Sequence, residues 1–353
     1  MWAIPRASNQ RCGAYRFHAS NVYNNVRARD GEDVKELLMI NSHLPDYRSK
    51  EENVLYIIGN GFDLYHGLST SYKDFRNWLL QDHSDFVEKM QKIYPKVKDK
   101  DFLLWSEFES ALGKPADLLY LHQLFGGSDT VSLSKEEQKT HAAKIIKETL
   151  GQVCPLLYEW VQTFQTGYAN VQPLLPLGKN SRYITFNYTM VLENVYHIVG
   201  ENILHIHGSA DNPPVITGYE MDLTPTVYGN PIEEISQRNI YSELAKLRKK
   251  TEIIFDKHND FFEDLAGVSI IVVIGHSLAD VDLAYIKYLA QLLPQYPNVS
   301  CQYWVHDEEA KDKVKKLING ICRSMTEIED KMPESNWTYQ ILDKLRNDNN
   351  HNN

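Results

Sequence analysis

Five short apolar segments constrain the fold more than any other feature of the chain. They are VLYII, RYITF, ILHI, SIIVVI and CQYWV, at 54–58, 182–186, 203–206, 269–274 and 301–305. Apolar residues at consecutive positions over such short runs are typical of parallel strands that are buried on both faces. Because helical patterns separate these segments, the sequence predicts an α/β domain with a parallel sheet flanked by helices.

The predicted helices fall into two groups. MVLENVYHIVG at 190–200 and SLADVDLAYIKYLAQLL at 277–293 carry apolar residues at helical spacing and lie between strands. Residues 72–170 contain no convincing strand and carry several amphipathic helical patterns, the last interrupted near Gly151 and Pro155. We therefore expect a large helical insertion at about 72–170 within the α/β domain.

The α/β domain is predicted to span 51–325. Residues 1–50 are predicted to form a flexible N-terminal extension. The first part of this extension is rich in Arg and contains no Asp or Glu, so its composition resembles that of an organelle transit peptide. An alternative is that 1–38 is an upstream extension of the reading frame. The Pro-, Gly- and Thr-rich stretch 211–232 predicts a long ordered loop of functional type. Residues 326–353 read as a polar tail.

The charge balance bears on the class of partner. The chain has 37 Lys and Arg against 47 Asp and Glu, a formal net charge of −10, which argues against binding nucleic acid or an anionic membrane surface. The basic run KLRKK at 246–250 is too short to reverse this. The longest apolar runs fall well short of the roughly 20 residues that a membrane span needs. Four scattered cysteines indicate neither a zinc module nor a disulfide framework, so we expect a reducing, cytoplasmic setting.

Each of the first four predicted strands ends in residues that are able to bind a ligand or take part in catalysis. These are Gly59, Asn60 and Gly61 after the first strand, Asn187 after the second, His207 and Gly208 after the third, and Gly275, His276 and Ser277 after the fourth. In open parallel sheets, ligands bind beyond the carboxyl ends of the strands. The sequence therefore predicts one shared site at this edge of the sheet.

The loop GNGFDLYHGL after the first strand has two interpretations. Gly59 and Gly61 either allow a close strand-to-helix approach, or let backbone N–H groups face an anion at a helix N-terminus. The G-x-G-x5-G spacing does not match the dinucleotide fingerprint and favours neither. Asp63 would repel a pyrophosphate, so we expect it to cap the helix or to accept hydrogen bonds from ribose hydroxyls.

The motifs are also compatible with two other kinds of site, a metal site and a serine-hydrolase site. His205 and His207 are two residues apart on a strand and suit a metal pair, with His66 or His276 as a third ligand. A structural role for His205 is favoured, with His207 emerging at the strand end and no metal expected. G-H-S-L-A resembles the nucleophile elbow of α/β-hydrolases, with Ser277 as nucleophile, but few histidines follow it, and Ser277 as a helix N-cap is the simpler interpretation.

Several long motifs in one order closely resemble the bacteriophage abortive-infection AbiH family. They are YIIGNGFDLYHGLSTSYKDF, WSEFESAL, ITFNYTMVLENVY, LHIHGS and IIVVIGHSLADVDLAYI, between residues 53 and 290. The same motifs are similar, more distantly, to sirtuin-like NAD-binding proteins, with GNGFD for G-A-G-x-S, TFNYT for T-x-N-Y-D, HIHG for the catalytic H-G, and GHS for the G-x-S turn. The chain departs from that pattern where Ser69 replaces a proline, Asp63 a serine and Thr189 an acid.

The AbiH resemblance implies a cytoplasmic phage-defence effector, and the sirtuin-like resemblance implies a Rossmann-type fold that binds NAD+ and hydrolyses it to nicotinamide and ADP-ribose. It implies Asn187 and His207 as catalytic residues. The implied dinucleotide-binding residues are Gly59, Asn60, Gly61, Asp63, Gly67, Tyr72, Thr185, Gly208, Gly275, Ser277 and Asp282. A phage-derived activator, a partner protein and a homo-oligomer remain open. The alternative function is a nucleotide-sensing module that binds without turnover.

Overall fold

The computed structural model describes residues 54–94, 103–116, 121, 123–125, 133–219, 231–292, 300–305, 309, 311–312, 315–316 and 337–341. The predictions for the N-terminal extension at 1–50 lie outside the described residues, as does 220–230 of the predicted loop. Residues 211–219 of this loop form neither helix nor strand, and a bridge pairs Tyr219 with Arg248, whereas the last two residues of the predicted loop, 231–232, begin a helix.

A six-stranded sheet, in the order β3-β2-β1-β4-β5-β6, forms the centre of the fold, and every neighbouring pair is parallel. The strands are β1 (Val54–Ile58), β2 (Arg182–Thr185), β3 (Ile203–His205), β4 (Ile270–Ile274), β5 (Ser300–Val305) and β6 (Trp337–Ile341). The predicted parallel α/β sheet is therefore confirmed, with the first five strands within one residue of their expected ends.

Strand β6 corrects the interpretation of 326–353 as a polar tail. Trp337–Ile341 pairs with β5 in register from Cys301 to Val305. Its sequence WTYQI alternates apolar and polar residues, which suits an edge strand with one apolar face. This strand is hard to recognise in the sequence because its alternation is short and polar residues surround it. An edge strand also needs less apolar sequence than a central one.

The connections are helical. The helices are α1 (Asn60–Tyr65), α2 (Tyr72–Asp82), α3 (Ser84–Ile93), α4 (Leu103–Ser106), α5 (Phe108–Leu112), α6 (Lys135–Gly151), α7 (Val153–Gln162), α8 (Val191–Asn194), α9 (Pro231–Lys246), α10 (Thr251–Lys257), α11 (Asn259–Glu263) and α12 (Leu283–Leu292). Segments of 3-10 helix span Thr163–Asn170, Gly200–Asn202, Asp264–Gly267 and Asp280–Asp282. Helices α2 and α6 begin with reciprocal capping boxes, at Ser71 with Asp74 and at Ser134 with Glu137.

Two predicted helices are shorter than their apolar spacing indicated. The helix expected at 190–200 ends with α8, because His197 has a φ of 57° that a right-handed helix does not allow. The helix expected at 277–293 begins only at Leu283, because Leu278 has a φ of 52° and a 3-10 turn follows it. Ser277 therefore does not cap this helix.

Two apolar cores stabilise the fold. Alternate residues of the strands, among them Ile57, Ile184 and Val273, pack against α10 to α12. The opposite face of the sheet carries Tyr56 and Tyr183, whose rings stack with centroids 4.8 Å apart. The second core lies among helices α2 to α7 and also takes in residues of α9, so α9 extends the helical region predicted at 72–170. Within the described part of the chain, no helix is both long enough and apolar enough to cross a membrane.

Candidate active site

The strand order reverses its direction at β1, because β2 lies on one side of it and β4 on the other. Loops that leave such neighbouring strands in opposite directions open a crevice between them, and this is where open α/β sheets bind ligands. A cavity of about 560 Å³, named here the switch-point cavity, lies at this place. Its walls come from the loops after β1, β2, β3 and β4 and from α5 and α7.

The switch-point cavity collects most of the residues that the sequence motifs singled out. Ten of them line it: Gly59, Asn60, Gly61, Asp63, Tyr72, Asn187, His207, Gly275, Ser277 and Asp282. Gly67, Thr185 and Gly208 do not. Thr185 instead accepts a hydrogen bond from the Asn187 N–H at 3.1 Å, and Gly208, at a φ of 76°, turns the chain against the Pro214 carbonyl.

The glycines after β1 and β4, called the glycine loops, pack backbone against backbone. The Gly59 N–H donates to Ile274 O at 2.9 Å, and the Gly61 N–H donates to Gly275 O at 2.8 Å. A Cβ on Gly275 would lie 2.3 Å from the Phe62 nitrogen, so no other residue fits without a shift of the backbone. The N–H groups of Gly59 and Gly61 are therefore already hydrogen-bonded to backbone carbonyls, which favours the close-packing interpretation for these two glycines.

Asp63 lies buried at the wall of the cavity. Its Oδ2 accepts a hydrogen bond from the Thr189 hydroxyl at 2.8 Å, and its Oδ1 has no partner among the residues described. Helix α1 has no side-chain cap, so the expectation that Asp63 caps it is wrong. Burial raises the pKa of Asp63 to about 7, although the Thr189 hydrogen bond acts in the other direction. The side chain is thus close to half-protonated at neutral pH.

The Asn187 amide is oriented by the glycine loop. Its Nδ2 donates to Gly59 O at 3.1 Å, and a carbonyl acceptor there fixes which end of the amide carries the nitrogen. The oxygen Oδ1 is buried and finds no donor in the described part of the structure. Asn187 therefore presents an unpaired acceptor at the cavity.

His205 and His66 have structural partners. His205 Nε2 lies 2.8 Å from Glu193 Oε1, and its Nδ1 lies 3.2 Å from Asn187 O. His66 Nδ1 donates to Phe62 O at 2.7 Å, and its Nε2 lies 2.7 Å from the Tyr196 hydroxyl. The favoured structural role of His205 is confirmed. Among the described residues, no group of three or more His, Cys, Asp or Glu side chains is placed to hold a metal ion.

Five ionisable side chains form a charged cluster beside the cavity: His207, Lys249, His276 and Asp282, which are buried, and Glu109, which is partly buried. Lys249 Nζ donates to Asp282 Oδ1 at 2.7 Å and to Glu109 Oε2 at 2.9 Å. Asp282 Oδ1 lies 3.8 Å from His207 Nε2, and Asp282 Oδ2 lies 3.6 Å from His276 Nε2. The carboxylate of Asp282 thus faces both imidazoles.

Both imidazoles of the charged cluster are neutral at physiological pH. Burial, and then the ammonium of Lys249, lower the pKa of His276 to about 4. The same two causes, followed by His276, hold the pKa of His207 well below its usual range. His276 Nδ1 accepts the Leu278 N–H at 3.0 Å, which places the single ring proton of its neutral form on Nε2, facing Asp282.

Tyr72 links the charged cluster to the helical region. Its hydroxyl donates to Glu109 Oε1 at 2.9 Å and lies 3.3 Å from the Thr217 hydroxyl. Burial, reinforced by the negative charge of Glu109, raises the pKa of Tyr72 well above its usual value, so the hydroxyl stays protonated. The side chain both lines the cavity and packs, with its ring 4.8 Å from that of Phe108.

Ser277 does not have the surroundings of a hydrolase nucleophile. Its side chain is exposed, and no hydrogen bond joins it to a histidine among the residues that the structure describes. The adjacent His276 turns its Nδ1 to the Leu278 backbone and its Nε2 towards Asp282. An activated serine needs its base within hydrogen-bond reach. The geometry therefore argues against the serine-hydrolase alternative.

The family model of bacteriophage abortive infection AbiH matches residues 55–304. The chain belongs to the AbiH family. The match runs from β1 to β5 and includes every residue of the switch-point cavity, whereas β6 lies beyond it. The AbiH assignment associates the chain with abortive infection, a defence against bacteriophages. No curated protein matches the chain.

Three charged or polar residues in or beside the switch-point cavity were not predicted from the sequence as site residues. Glu109 lies inside the quoted motif WSEFESAL, where a carboxylate among aromatic residues was the available signal. Lys249 lies in KLRKK, where nothing distinguishes it from its solvent-exposed neighbours. Thr189 was noted only as a departure from the sirtuin-like pattern, although its hydroxyl binds the second departure, Asp63.

Proposed function

We propose that this AbiH protein binds NAD+ in the switch-point cavity and hydrolyses it to nicotinamide and ADP-ribose during phage defence. One observation carries the proposal. Three buried polar atoms, Asp63 Oδ1 in helix α1, Asn187 Oδ1 after β2 and His207 Nε2 after β3, have no hydrogen-bond partner among the described residues, and all three side chains line the same cavity. A buried polar atom without a hydrogen-bond partner calls for an explanation, and a ligand that completes the site explains why three of them border one cavity.

The reaction suits these groups. Nicotinamide leaves NAD+ as a neutral molecule from a cationic pyridinium, so the bond from C1′ of the ribose breaks without a strong general acid. Water adds to C1′ and loses a proton. Asn187 Oδ1 accepts a hydrogen bond from a ribose hydroxyl or from the attacking water, and neutral His207 accepts the proton. The lowered pKa of His207 keeps the imidazole unprotonated at neutral pH, although it makes it a weaker base than a free histidine.

The charge of the cavity supports a cationic reacting centre. Carboxyl groups of Asp63, Glu107, Glu109 and Asp282 line it. Lys249, which is not among the lining residues, offsets part of this charge through Glu109 and Asp282, and the raised pKa of Asp63 reduces its share of the charge. An oxocarbenium-like transition state gains from fixed negative charge in a water-poor site. The same charge repels a pyrophosphate, so the phosphates of the dinucleotide belong at the open edge, near the exposed side chains of Asn60 and Ser277.

Two further features support a dinucleotide ligand. The strand order β3-β2-β1-β4-β5-β6 is that of the dinucleotide-binding doubly wound sheet. The departures from the sirtuin-like pattern at Asp63 and Thr189 are reciprocal, because the serine position holds an acid and the acidic position holds a hydroxyl. A hydrogen bond at 2.8 Å joins these two positions in this chain.

Nicotinamide release from NAD+ by the purified protein tests the proposal, with and without extract of phage-infected cells as a source of activator. We expect Asn187→Ala and His207→Ala each to lower kcat by roughly 10²–10³. His141→Ala and Asn170→Ala, which are exposed residues of the same types, serve as matched controls with unchanged activity.

Absence of nicotinamide under every condition would overturn the enzymatic proposal. Calorimetric binding of NAD+ or ADP-ribose without turnover would then favour the nucleotide-sensing module. Loss of that binding in Asn187→Ala, with His141→Ala unaffected, would still assign the ligand to the switch-point cavity.

A further inference from the structure

Lys249 and Glu109 are members of the charged cluster that the proposed reaction does not use. Lys249 is fully buried, and its ammonium donates hydrogen bonds to two carboxylates, Glu109 and Asp282. The pKa of Lys249 is raised, since these two carboxylates outweigh the burial that acts to lower it. A buried ammonium is tolerated only where such partners replace water. The arrangement therefore requires that all three groups be present together.

Asp282 depends on Lys249 for its orientation. A carboxylate rotates about its Cβ–Cγ bond unless its oxygens are held. Oδ1 of Asp282 is held by the Lys249 ammonium at 2.7 Å, while its distances to His207 and His276, 3.8 and 3.6 Å, are too long for hydrogen bonds. In the described structure, Lys249 is thus the group that fixes which way the carboxylate faces.

One backbone hydrogen bond and two close approaches at glycines hold the backbone around Lys249 in place. The Lys249 N–H donates to Tyr219 O at 2.8 Å. Gly218, at a φ of 137°, leaves no room for a Cβ, which would lie 1.5 Å from Leu247 O. Gly113, just beyond α5, allows the Tyr219 ring to approach, because a Cβ there would lie 2.9 Å from that side chain. The segment that carries Lys249 is therefore joined through Tyr219 to the end of the helix that carries Glu109.

We infer that Lys249 and Glu109 are positioning residues of the switch-point cavity: they orient Asp282 between His207 and His276, and they complete the site only when the helical region is docked on the sheet. The inference builds on the proposed function, because it concerns the same imidazole. Its consequence, the protonation state of the two histidines, does not depend on turnover.

The sign of that consequence follows from the charges around the imidazoles. His207 is faced by Asp282, Lys249 and His276, and by the rings of Phe186 and Tyr285. Removing the Lys249 ammonium leaves the Asp282 carboxylate buried without its cation. The nearest groups able to supply a positive charge are the two imidazoles, so their affinity for a proton rises.

Histidine ring NMR of selectively labelled protein, recorded from pH 5 to 8, tests the inference, with signals assigned by substituting each histidine in turn. In the wild-type chain, we expect the His207 and His276 signals not to titrate in this range. In Lys249→Met, at least one of them should titrate within it, an upward pKa shift of one unit or more. Lys246→Met removes an exposed ammonium three residues away and should leave both signals as in the wild type.

A charge-balanced variant keeps the test decisive if Lys249→Met does not fold. Lys249→Met with Glu109→Gln removes one cation and one anion together and leaves Asp282 as the one carboxylate of the cluster. The His207 signal should still shift upward, whereas the shift of His276 should be smaller than in Lys249→Met, because the charge of Glu109 raises the pKa of His276. If neither variant moves a histidine into this pH range, the inference is overturned. If the shift occurs and nicotinamide is never released, the positioning role stands and the proposed hydrolysis fails.

Discussion

The glycine loops and the charged cluster both border the switch-point cavity, and they restrict substitution for different reasons. In the glycine loops, the backbone itself fills the space, and the N–H groups of Gly59 and Gly61 are bonded to β4 and the loop after it. In the charged cluster, long side chains from distant parts of the chain fill the space, and each charge is supported by another. The first region excludes a side chain, whereas the second requires several at once.

This difference predicts whether a second substitution is able to compensate for a damaging first substitution in each region. A clash between backbones leaves no second side chain to change, so a damaged glycine loop has no simple compensating substitution. A charged cluster is restored towards balance when a cation and an anion are removed together, because the energetic penalty lies in the unpaired charge. The predictions that follow probe this contrast.

The largest effect is expected in the glycine loops. Gly275 has a φ of 63°, and a Cβ there would meet the Phe62 backbone nitrogen at 2.3 Å. Gly275→Ala therefore combines a left-handed backbone penalty with overpacking, about 4 kcal/mol in total. Urea denaturation measures it. Gly67→Ala is the matched control: its φ is 79° but nothing lies within 4 Å, so only the backbone penalty of about 1 kcal/mol applies. Equal losses in the two variants would show that the loops are not closely packed.

A smaller effect that depends on pH is expected at Asp63. Its folded pKa, about 7, lies above its ordinary value of 3.8, so its contribution to stability is present at low pH and is lost as pH rises through 7. Asp63→Asn lacks this loss, and its stability relative to the wild type should rise by about 2 kcal/mol between pH 5 and pH 8. Denaturation at both pH values measures the difference.

The control for this prediction is Asp85→Asn. Asp85 is exposed, and its hydrogen bond with Lys89 lowers its pKa, so the same gain with rising pH is not expected. A pH-independent difference between Asp63→Asn and the wild type would mean that the Asp63 carboxyl is not poised near neutrality.

The smallest effect is expected at Ser277. The side chain is exposed and caps no helix, so Ser277→Ala should change the free energy of unfolding by less than about 0.5 kcal/mol. A fluorophosphonate should not label the wild-type protein at this position. Labelling of Ser277 that disappears in the alanine variant would instead revive the serine-hydrolase alternative.

Much of the scaffold was predictable because its signals are local. The five strands follow from apolar runs bounded by Gly and polar residues, and all five occur in the structure within one residue of the expected ends. The convergence of Gly59, Asn187, His207 and Gly275 followed in turn, since the carboxyl ends of parallel strands share one edge of the sheet. Helix ends were less predictable, because positive φ values at His197 and Leu278 leave no periodic signal.

The sequence by itself determined the sheet, the edge at which the site lies and the strand-end residues that line it, because each depends on a short run of neighbouring residues. Only the tertiary structure decided which of two uses the glycines serve, that Asp63 and Thr189 are partners, and that Lys249 from a basic run is buried between Glu109 and Asp282. From sequence alone, a charged residue is predicted to be exposed unless the groups that neutralise its charge are known. Those groups lie 140 and 33 residues away along the chain.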